Sequence, residues 1–261
     1  IGEEPQNILI VDDNPEVLDY LEILFSKKYK VDRAENGREA LAFILKNLPD
    51  LVISDLMMPE MDGIELCKMV KTNINISHIP FILLSAKTNI ESRIEGLQTG
   101  ADDYIPKPFH PDVLKLRVQK LIEDQKNLIE KLKSGGGIII PKNIAKNPLD
   151  EKFLQHIIDI IKANMANDEF GVEELGSMVA MSRSNLFRKL KAIIGQTPIE
   201  FIYYIRLKHA MELLLERKMN VSEIAYEVGF KNPSSFSKSF KKQFGKSPSD
   251  FLGDILSNNK K

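Results

Sequence analysis

Five polar residues in the first half of the chain each follow a short stretch with the pattern of a β-strand: Asp12, Asp13, Asp55, Ser85 and Lys107. Carboxylates that share one crevice repel one another, and burying them is costly. A Mg²⁺ ion relieves this cost because it prefers a few carboxylates together with water and phosphate oxygens. A lysine and a serine can hold phosphoryl oxygens. The set therefore predicts a magnesium-assisted phosphate site in which the central carboxylate, Asp55, is the nucleophile that forms an aspartyl phosphate.

The stretches before these residues are typical of strands in a parallel sheet that is covered on both faces. The predicted strands are residues 8–11, 29–34, 51–54, 81–84 and 103–105, and they alternate with five predicted helices, of which the fourth covers residues 89–97. This alternation predicts a doubly wound α/β fold with a five-stranded parallel sheet. In the strand order 2-1-3-4-5, the polar residues gather at the switch point, where such sheets bind ligands.

Each of these residues also has an ordinary structural explanation when it is taken alone. Asp12 and Asp13 could be turn residues or helix caps, Ser85 a loop cap and Lys107 an exposed lysine. Their occurrence together at consecutive strand exits favours the phosphate site, because a motif gains weight only in its expected context.

A family resemblance rests on five groups of residues: Ile10-Val11-Asp12-Asp13, Asp55 with Met58-Pro59 and Met61-Asp62-Gly63, Ser85-Ala86, Gly100-Ala101-Asp102-Asp103-Tyr104, and Lys107-Pro108-Phe109. Residues 7–122 thereby resemble a response-regulator receiver domain, which implies a flavodoxin-like fold. The resemblance implies that Asp55 takes a phosphoryl group from a phosphohistidine of a sensor histidine kinase. It also implies that Asp13, Asp55 and the backbone carbonyl of Met57 hold Mg²⁺, with Asp12 assisting through a water molecule.

The same resemblance assigns roles on the other side of the site. It implies that Ser85 and Lys107 bind the phosphoryl oxygens, and that Tyr104 is an aromatic switch which turns inward when Ser85 moves. A cis peptide bond between Lys107 and Pro108 belongs to the family's pattern, although an isolated X-Pro bond is usually trans.

The last helix of this domain continues beyond Val118. Apolar and amide residues recur at alternating spacings of three and four, the pattern of a coiled coil: Val118, Leu121, Gln125, Leu128 and Leu132. Two readings stay open, a seam that pairs two chains as a homodimer and a helix packed on the next domain. Residues 135–137 are three glycines, typical of a flexible hinge. We therefore expect a receiver domain at residues 1–126, a linker at 127–149 and a second domain at 150–261.

The second half repeats one arrangement of helices. Short helices at residues 172–179 and 183–191 are joined by a tight turn, and residues 221–228 and 233–244 repeat this pattern. Each pair is a predicted helix-turn-helix motif. The helix between them has about 20 residues and is therefore roughly 30 Å long, close to the ~34 Å of one DNA turn. One such motif is often ordinary helix packing, but two with basic outward faces favour an all-α DNA-binding domain that enters successive major grooves.

Residues 151–251 resemble an AraC-type DNA-binding domain. The resemblance is carried by Met181-Ser182-Arg183-Ser184-Asn185-Leu186, Gly195-Gln196-Thr197-Pro198, Arg206-Leu207, Val221 to Phe230, Phe236-Ser237-Lys238-Ser239-Phe240-Lys241-Lys242, Gly245 and Pro248. It implies base contacts by Ser184, Phe187 and Arg188 in the first groove and by Asn232, Ser234, Ser235 and Lys238 in the second. The strongest specific expectation is that Arg188 reads guanine. Lys189, Lys191, Lys241 and Lys242 are expected to touch phosphate, and Phe187 is expected either to contact a thymine methyl group or to lie in the core.

Composition is consistent with two domains that have different partners. The net charge is −1, yet Lys and Arg outnumber Asp and Glu within residues 171–250, and the reverse holds elsewhere. A single cysteine excludes an internal disulfide and fits a reducing compartment. No apolar run reaches the length of a membrane span, so we expect a cytoplasmic location. The domain order, and a start at Ile1 rather than Met, also resemble the C-terminal part of a one-chain hybrid two-component regulator, in which the cytoplasmic end follows a membrane-bound sensor and the phosphate donor is in the same polypeptide.

These patterns predict a two-component transcription regulator that is phosphorylated at Asp55 and binds promoter DNA, with RNA polymerase as a further partner. An aspartate-nucleophile phosphatase is the rival enzyme class. Such enzymes place a second Asp two residues after the nucleophile, where this chain has Met57, so we expect no enzyme beyond slow self-dephosphorylation. A third reading makes the chain a phosphorelay intermediate whose helical half binds protein.

Overall fold

The computed structural model describes residues 5–86, 99–134 and 147–258, and for residues 125–134 and 254–258 it describes the backbone only. The chain divides into two compact units, Ile1–Ile129 with Ala145–Asp150, and Glu130–Ile144 with Glu151–Lys261. The helix predicted at residues 89–97 and the glycines at 135–137 lie outside the described residues. Gln125, Leu128 and Leu132 have no described side chains, so the predicted coiled-coil seam stays a prediction.

The first unit is an α/β domain. Its elements are β1 (Asn7–Val11), α1 (Pro15–Phe25), β2 (Lys30–Ala34), α2 (Gly37–Asn47), β3 (Leu51–Asp55), α3 (Gly63–Thr72), β4 (Phe81–Ser85), β5 (Asp103–Pro106) and α4 (Pro111–Ser134). All neighbouring strands are parallel, and their order is β2-β1-β3-β4-β5. The predicted fold class and strand order are therefore confirmed, and Asp55 is the last residue of β3.

Alternation along the strands gives the sheet two buried faces. Leu9, Val52 and Leu83 pack with α2 and α3 on one face. Ile8, Ile53 and Ile82 belong to the other core, which includes residues of α1 and α4. Because successive side chains of a strand point to opposite sides, continuous apolar strands are needed to fill both layers. Because helices cover both faces of the sheet, the ends of its strands are the part that they leave open.

The second unit is helical, as predicted. It contains α5 (Pro148–Ala163), of which residues 151–163 belong to this unit, followed by α6 (Val172–Met178), α7 (Arg183–Ile194), α8 (Pro198–Glu216), α9 (Val221–Glu227), α10 (Pro233–Phe244) and α11 (Pro248–Asn258). The pairs α6–α7 and α9–α10 are the two predicted helix-turn-helix motifs, and α8 connects them. Within the described parts of the chain, no helix is both long and apolar enough to cross a membrane.

Helix α11 was not anticipated from the sequence. Its start carries a recognisable signal, because Ser247 Oγ accepts a hydrogen bond from the backbone N–H of Asp250 while the Asp250 carboxylate accepts one from Ser247. This is a reciprocal cap followed by a proline at the first helical position. Phe251 then packs against Phe240 of α10, with ring centroids 5.9 Å apart.

Candidate functional site

Strand pairing places the predicted site residues side by side. In the register of β1 and β3, Val11 is opposite Ser54, so Asp12 and Asp55 follow at neighbouring strand ends. In the register of β4 and β5, Ser85 is opposite Pro106, and Lys107 comes next. The gathering of polar residues at the carboxyl edge of the sheet, predicted from sequence, therefore follows from parallel pairing in the order β1-β3-β4-β5.

The Lys107 ammonium bridges two carboxylates. Its Nζ lies 2.5 Å from Asp55 Oδ1 and 2.9 Å from Asp12 Oδ2. Asp12 is 2% exposed and Asp55 is 8% exposed. Two carboxylates this close and this buried would repel each other strongly, and the Lys107 ammonium between them offsets this repulsion.

Backbone donors fix the direction of both carboxylates. Asp55 Oδ2 accepts a hydrogen bond from the backbone N–H of Met57 at 3.0 Å. Asp12 Oδ1 accepts one from the backbone N–H of Asn14, also at 3.0 Å. Asn14 is not among the site residues predicted from the sequence. The Asn14-Pro15 pair could have pointed to this role, since a cap residue after a strand brings its backbone N–H close to the strand exit.

Burial and pairing act in opposite directions on these groups. Burial raises the pKa of Asp12, and the hydrogen bonds from Lys107 and Asn14 only partly offset this effect. For Lys107, burial on its own lowers the pKa, but hydrogen bonding and charge attraction from Asp12 and Asp55 outweigh it, so the pKa is raised. Lys107 is therefore a firmly protonated cation, held at the position where an additional anion would arrive.

The remaining predicted residues surround this core in two ways. Ser85 and Tyr104 are buried, Tyr104 within the core that contains α2 and α3, so the aromatic ring points inward. Asp13 is exposed, and Met57 is 58% exposed. The peptide bond between Lys107 and Pro108 is cis, as the resemblance implied.

The oxygen donors at the end of the sheet suit Mg²⁺. Within residues 5–86, 99–134 and 147–258, no three acidic, histidine or cysteine side chains are arranged as a metal-binding group. The donors at hand are nevertheless hard oxygens, namely two adjacent carboxylates, a third on the exposed Asp13, and backbone carbonyls of the loop after β3. This is the chemistry that Mg²⁺ prefers, so the residues fit the ion while Lys107 supplies the positive charge in this structure.

The first recognition helix, α7, presents most of the predicted contact residues. Ser182 caps it, since its Oγ accepts a hydrogen bond from the backbone N–H of Asn185 at 3.2 Å. Leu186 and Leu190 are buried. The exposed residues on the opposite face are Ser184, Phe187, Arg188 and Lys191. Phe187 is 44% exposed, which favours the surface reading over the core reading.

The second recognition helix, α10, has the same construction. Asn232 caps it through a hydrogen bond from the backbone N–H of Ser235 to its Oδ1 at 2.8 Å. Phe236 and Phe240 are buried. All the predicted contact residues are exposed: Asn232, Ser234, Ser235, Lys238, Lys241 and Lys242. The two basic residues at the end of α10 also lie where a helix dipole favours cations.

The expectation for Lys189 is wrong. The sequence prediction placed it on the outer face of α7 as a phosphate contact, but the residue is 0% exposed. Its Nζ lies 4.8 Å from the centroid of the Phe153 ring on α5. Helix α5 packs against this flank of α7 and so converts a predicted surface position into a buried one, in which the ammonium faces an aromatic ring.

Comparisons with known proteins match each half of the chain to a domain family. Residues 8–119 match the family described as response regulator receiver domain, and residues 175–254 match a helix-turn-helix domain. Histidine kinase P4 of Formosa agariphila is 42% identical over 249 residues, which are 95% of this chain and 18% of that protein. The transcriptional regulatory protein ResD of Bacillus subtilis is 41% identical over 116 residues, 44% of this chain and 47% of that protein.

The signal receiver domain of a signal transduction histidine kinase from Syntrophus aciditrophicus is 38% identical, with a TM-score of 0.44, over 46% of this chain and 91% of that chain. This chain thus spans less than half of ResD and under a fifth of histidine kinase P4. The two family matches together cover most of the chain. The chain therefore contains a response regulator receiver domain at residues 8–119, followed by an AraC-type helix-turn-helix domain at residues 175–254.

Proposed function

We propose that Asp55 accepts a phosphoryl group from a phosphohistidine of a histidine kinase, and that this modification controls how the second domain binds promoter DNA. The observation that carries the proposal is the Lys107 ammonium held between Asp55 and Asp12 at the sheet edge. In the transfer, an Asp55 carboxylate oxygen forms the new O–P bond and the P–N bond of the donor breaks. The departing imidazole nitrogen keeps the electron pair and takes a proton.

The surrounding residues are suited to hold the incoming group. The phosphoryl group brings negative charge to Lys107, whose ammonium already lies 2.5 Å from Asp55, and the Ser85 hydroxyl can donate to a phosphoryl oxygen. Asp13, Asp55 and the Met57 carbonyl would hold Mg²⁺, with Asp12 assisting through water. When bound, the ion supplies charge neutralisation for the attacking carboxylate and the transferring group.

We propose that Asp55 is a switch and not the nucleophile of a turnover enzyme. The position two residues after it is Met57, which has no acid or base to activate water for hydrolysis. The side chain of Met57 is exposed and apolar. Acid and base groups placed next to a nucleophile are what give hydrolysis its speed, so only slow loss of the phosphoryl group is expected.

The output is proposed to be sequence-specific binding to double-stranded DNA. It is supported by two recognition helices whose exposed faces carry Arg188 and Lys191 in α7, and Lys238, Lys241 and Lys242 in α10. Arg188 is proposed to read a guanine and Lys238 to contact a base, whereas Lys191, Lys241 and Lys242 are proposed to contact phosphates. RNA polymerase as a further partner, and a homodimer through the α4 extension, belong to the same proposal. The alignment of nearly the whole chain with part of a histidine kinase supports a donor in the same polypeptide.

Labelling with radioactive acetyl phosphate and with phosphoramidate tests the acceptor. In the presence of Mg²⁺ we expect labelling of the native chain that hydroxylamine removes. We expect no labelling of Asp55→Asn. Asp112→Asn is the matched control, since the Asp112 side chain is exposed and far along the chain from β3. Retained labelling of Asp55→Asn with either donor would contradict the assignment.

A further inference from the structure

Arg206 is a buried cation on α8, the helix that connects the two helix-turn-helix motifs. The residue is 3% exposed. Its Nη1 donates to the carbonyl oxygen of Gly229 at 3.0 Å, and its Nη2 donates to the carbonyl oxygen of Asn167 at 2.5 Å. Gly229 lies in the turn of the second motif, and Asn167 lies in the loop that leads from α5 into the first motif. One planar group therefore ties three segments of the second unit together.

The chemistry of this contact is unusual for a residue that only fills space. Burying a guanidinium is costly unless it is paired, and burial lowers the pKa of Arg206. The partners of its two Nη atoms are neutral carbonyls, and its Nε has no hydrogen-bond partner among the described residues. An apolar side chain of similar volume fills a core at lower cost. We therefore attribute the arginine at this position to the rigid, planar arrangement of its N–H donors.

The two turns provide an internal comparison. In each, the residue after the helix cap is left-handed, with φ 54° at Ala180 and φ 73° at Gly229. Each turn also makes the same pair of backbone hydrogen bonds, from residues 180 and 181 in one and from residues 229 and 230 in the other. The first turn accepts an alanine in this conformation, so the conformation alone does not require glycine.

Close approach accounts for glycine in the second turn. A Cβ atom on Gly229 would lie 2.5 Å from the carbonyl oxygen of Met165 and 2.8 Å from Cζ of Arg206. The turn of the second motif is thus pressed directly against both the guanidinium and the loop after α5. Any side chain at residue 229 would force these segments apart.

We propose that Arg206 is a positioning residue that fixes the spacing and orientation of recognition helix α10 relative to recognition helix α7. The proposal rests on the proposed DNA binding by both motifs. Two reading helices held in one rigid arrangement bind a two-part site with a high effective concentration at one spacing only. Loosening the joint lowers this effective concentration and lets the second helix follow altered spacings, without changing the contacts that either helix makes to its own half of the site.

The test compares spacing preference among variants of the full chain. Selection from a random duplex library with the native chain gives a DNA site. Three probes follow from it: the site itself, the site with one base pair inserted between its halves, and the site with one half scrambled. One inserted base pair turns the second half by about 35° and moves it by about 3.4 Å. Arg206→Lys keeps the charge but loses the fork, and Gly229→Ala opens the same joint from the other side.

For the native chain we expect the inserted base pair to weaken binding at least ~10-fold. For Arg206→Lys and Gly229→Ala we expect the same insertion to weaken binding less than ~3-fold. Both variants should also bind the uninterrupted site more weakly than the native chain does. Affinity for the half-scrambled probe should change less than ~2-fold, because the individual contacts persist. Glu169→Gln is the matched control. It breaks only the exposed ion pair between Glu169 and Lys231 across the same joint and should keep the native spacing preference.

Failure of the inference and failure of the proposed function give different results. If the native chain selects no DNA, the proposed function fails. If it selects a two-part site but tolerates the inserted base pair as well as the variants do, the joint is not rigid and the inference is overturned. The same holds if folded Arg206→Lys, checked by circular dichroism, keeps the native spacing preference. The result for the native chain stands even if a variant does not fold.

Discussion

The Lys107 ammonium lies 2.5 Å from the Asp55 carboxylate and also contacts Asp12, so one side chain that follows β5 pairs with acids at the ends of β3 and β1 and offsets part of their charge. The contact joins three strands at the switch point of the sheet. A group that adds negative charge to Asp55 must change this contact, because the ammonium is shared. The pairing therefore connects the chemistry of Asp55 to the position of β5 and to the loop that follows it.

Removal of Lys107 should destabilise the receiver domain. In Lys107→Ala, Asp12 and Asp55 face each other buried and without a cation, and breaking such a pair costs about 3–5 kcal/mol. We expect urea unfolding without Mg²⁺ to show a large part of this loss. Added Mg²⁺ should stabilise the variant more than the native chain, because the ion replaces the missing charge.

Lys115→Ala serves as the control for this prediction, since Lys115 is exposed on α4 and pairs with the exposed Asp112. Its unfolding free energy should stay within about 0.5 kcal/mol of the native value. Equal stability of Lys107→Ala and the native chain, with the same response to Mg²⁺, would show that the bridge has no energetic role.

Substitutions of Lys189 and Lys191 should affect DNA binding differently, although the two residues lie only two positions apart on α7. Lys191→Met removes an exposed cation, so it should weaken binding to all sequences alike and reduce the salt slope by about 1. Lys189→Met should leave affinity and salt slope unchanged, because Lys189 is buried against Phe153. The measurement is fluorescence anisotropy across a salt series. A reduced salt slope for Lys189→Met would contradict this prediction and would indicate that Lys189 contacts DNA.

The buried thiol of Cys67 should make stability fall at alkaline pH. Burial raises the pKa of Cys67 to about 11 from an ordinary value of 9.0. In the unfolded chain the thiol loses its proton near pH 9, while in the folded chain it keeps it until near pH 11. The unfolded state therefore binds fewer protons between these values, and stability decreases as pH rises through this window, by about 2–3 kcal/mol for this group.

Other groups titrate in the same range, so the comparison is made with Cys67→Ala. The difference in unfolding free energy between the native chain and this variant should be constant below about pH 8 and should shift against the native chain up to about pH 11. A difference that stays constant over the whole range would mean that the thiol is not buried in the folded state.

The parts that the sequence predicted well are those in which a local pattern has one structural meaning. Apolar runs that end at Asp12, Asp55 and Ser85 are typical of strands in a covered parallel sheet, and parallel pairing then brings their ends together. The two helix-turn-helix motifs could be predicted because two short helices joined by a tight turn recur at residues 172–191 and 221–244. These features depend on sequence spacing of a few residues, so no distant contact is needed to recognise them.

The parts that the sequence could not predict depend on contacts between distant segments. Lys189 is a charged residue of the kind that usually lies on the surface. It is buried because Phe153 of α5 lies beside it. Arg206 was noted as part of a family pattern, but its partners Asn167 and Gly229 lie 39 and 23 residues away. No periodicity connects such residues, so their roles become visible only in the folded chain.

We expect the phosphorylation state of Asp55 to set the affinity for DNA, which a titration can measure. The selected duplex is titrated with the native chain, with the chain saturated by phosphoramidate in Mg²⁺, and with Asp55→Asn treated in the same way. We expect Kd to change about 5- to 150-fold on complete phosphorylation of the native chain, the usual range of coupling between two sites, and not to change for Asp55→Asn. An identical Kd for the unmodified and the fully phosphorylated native chain would contradict the account.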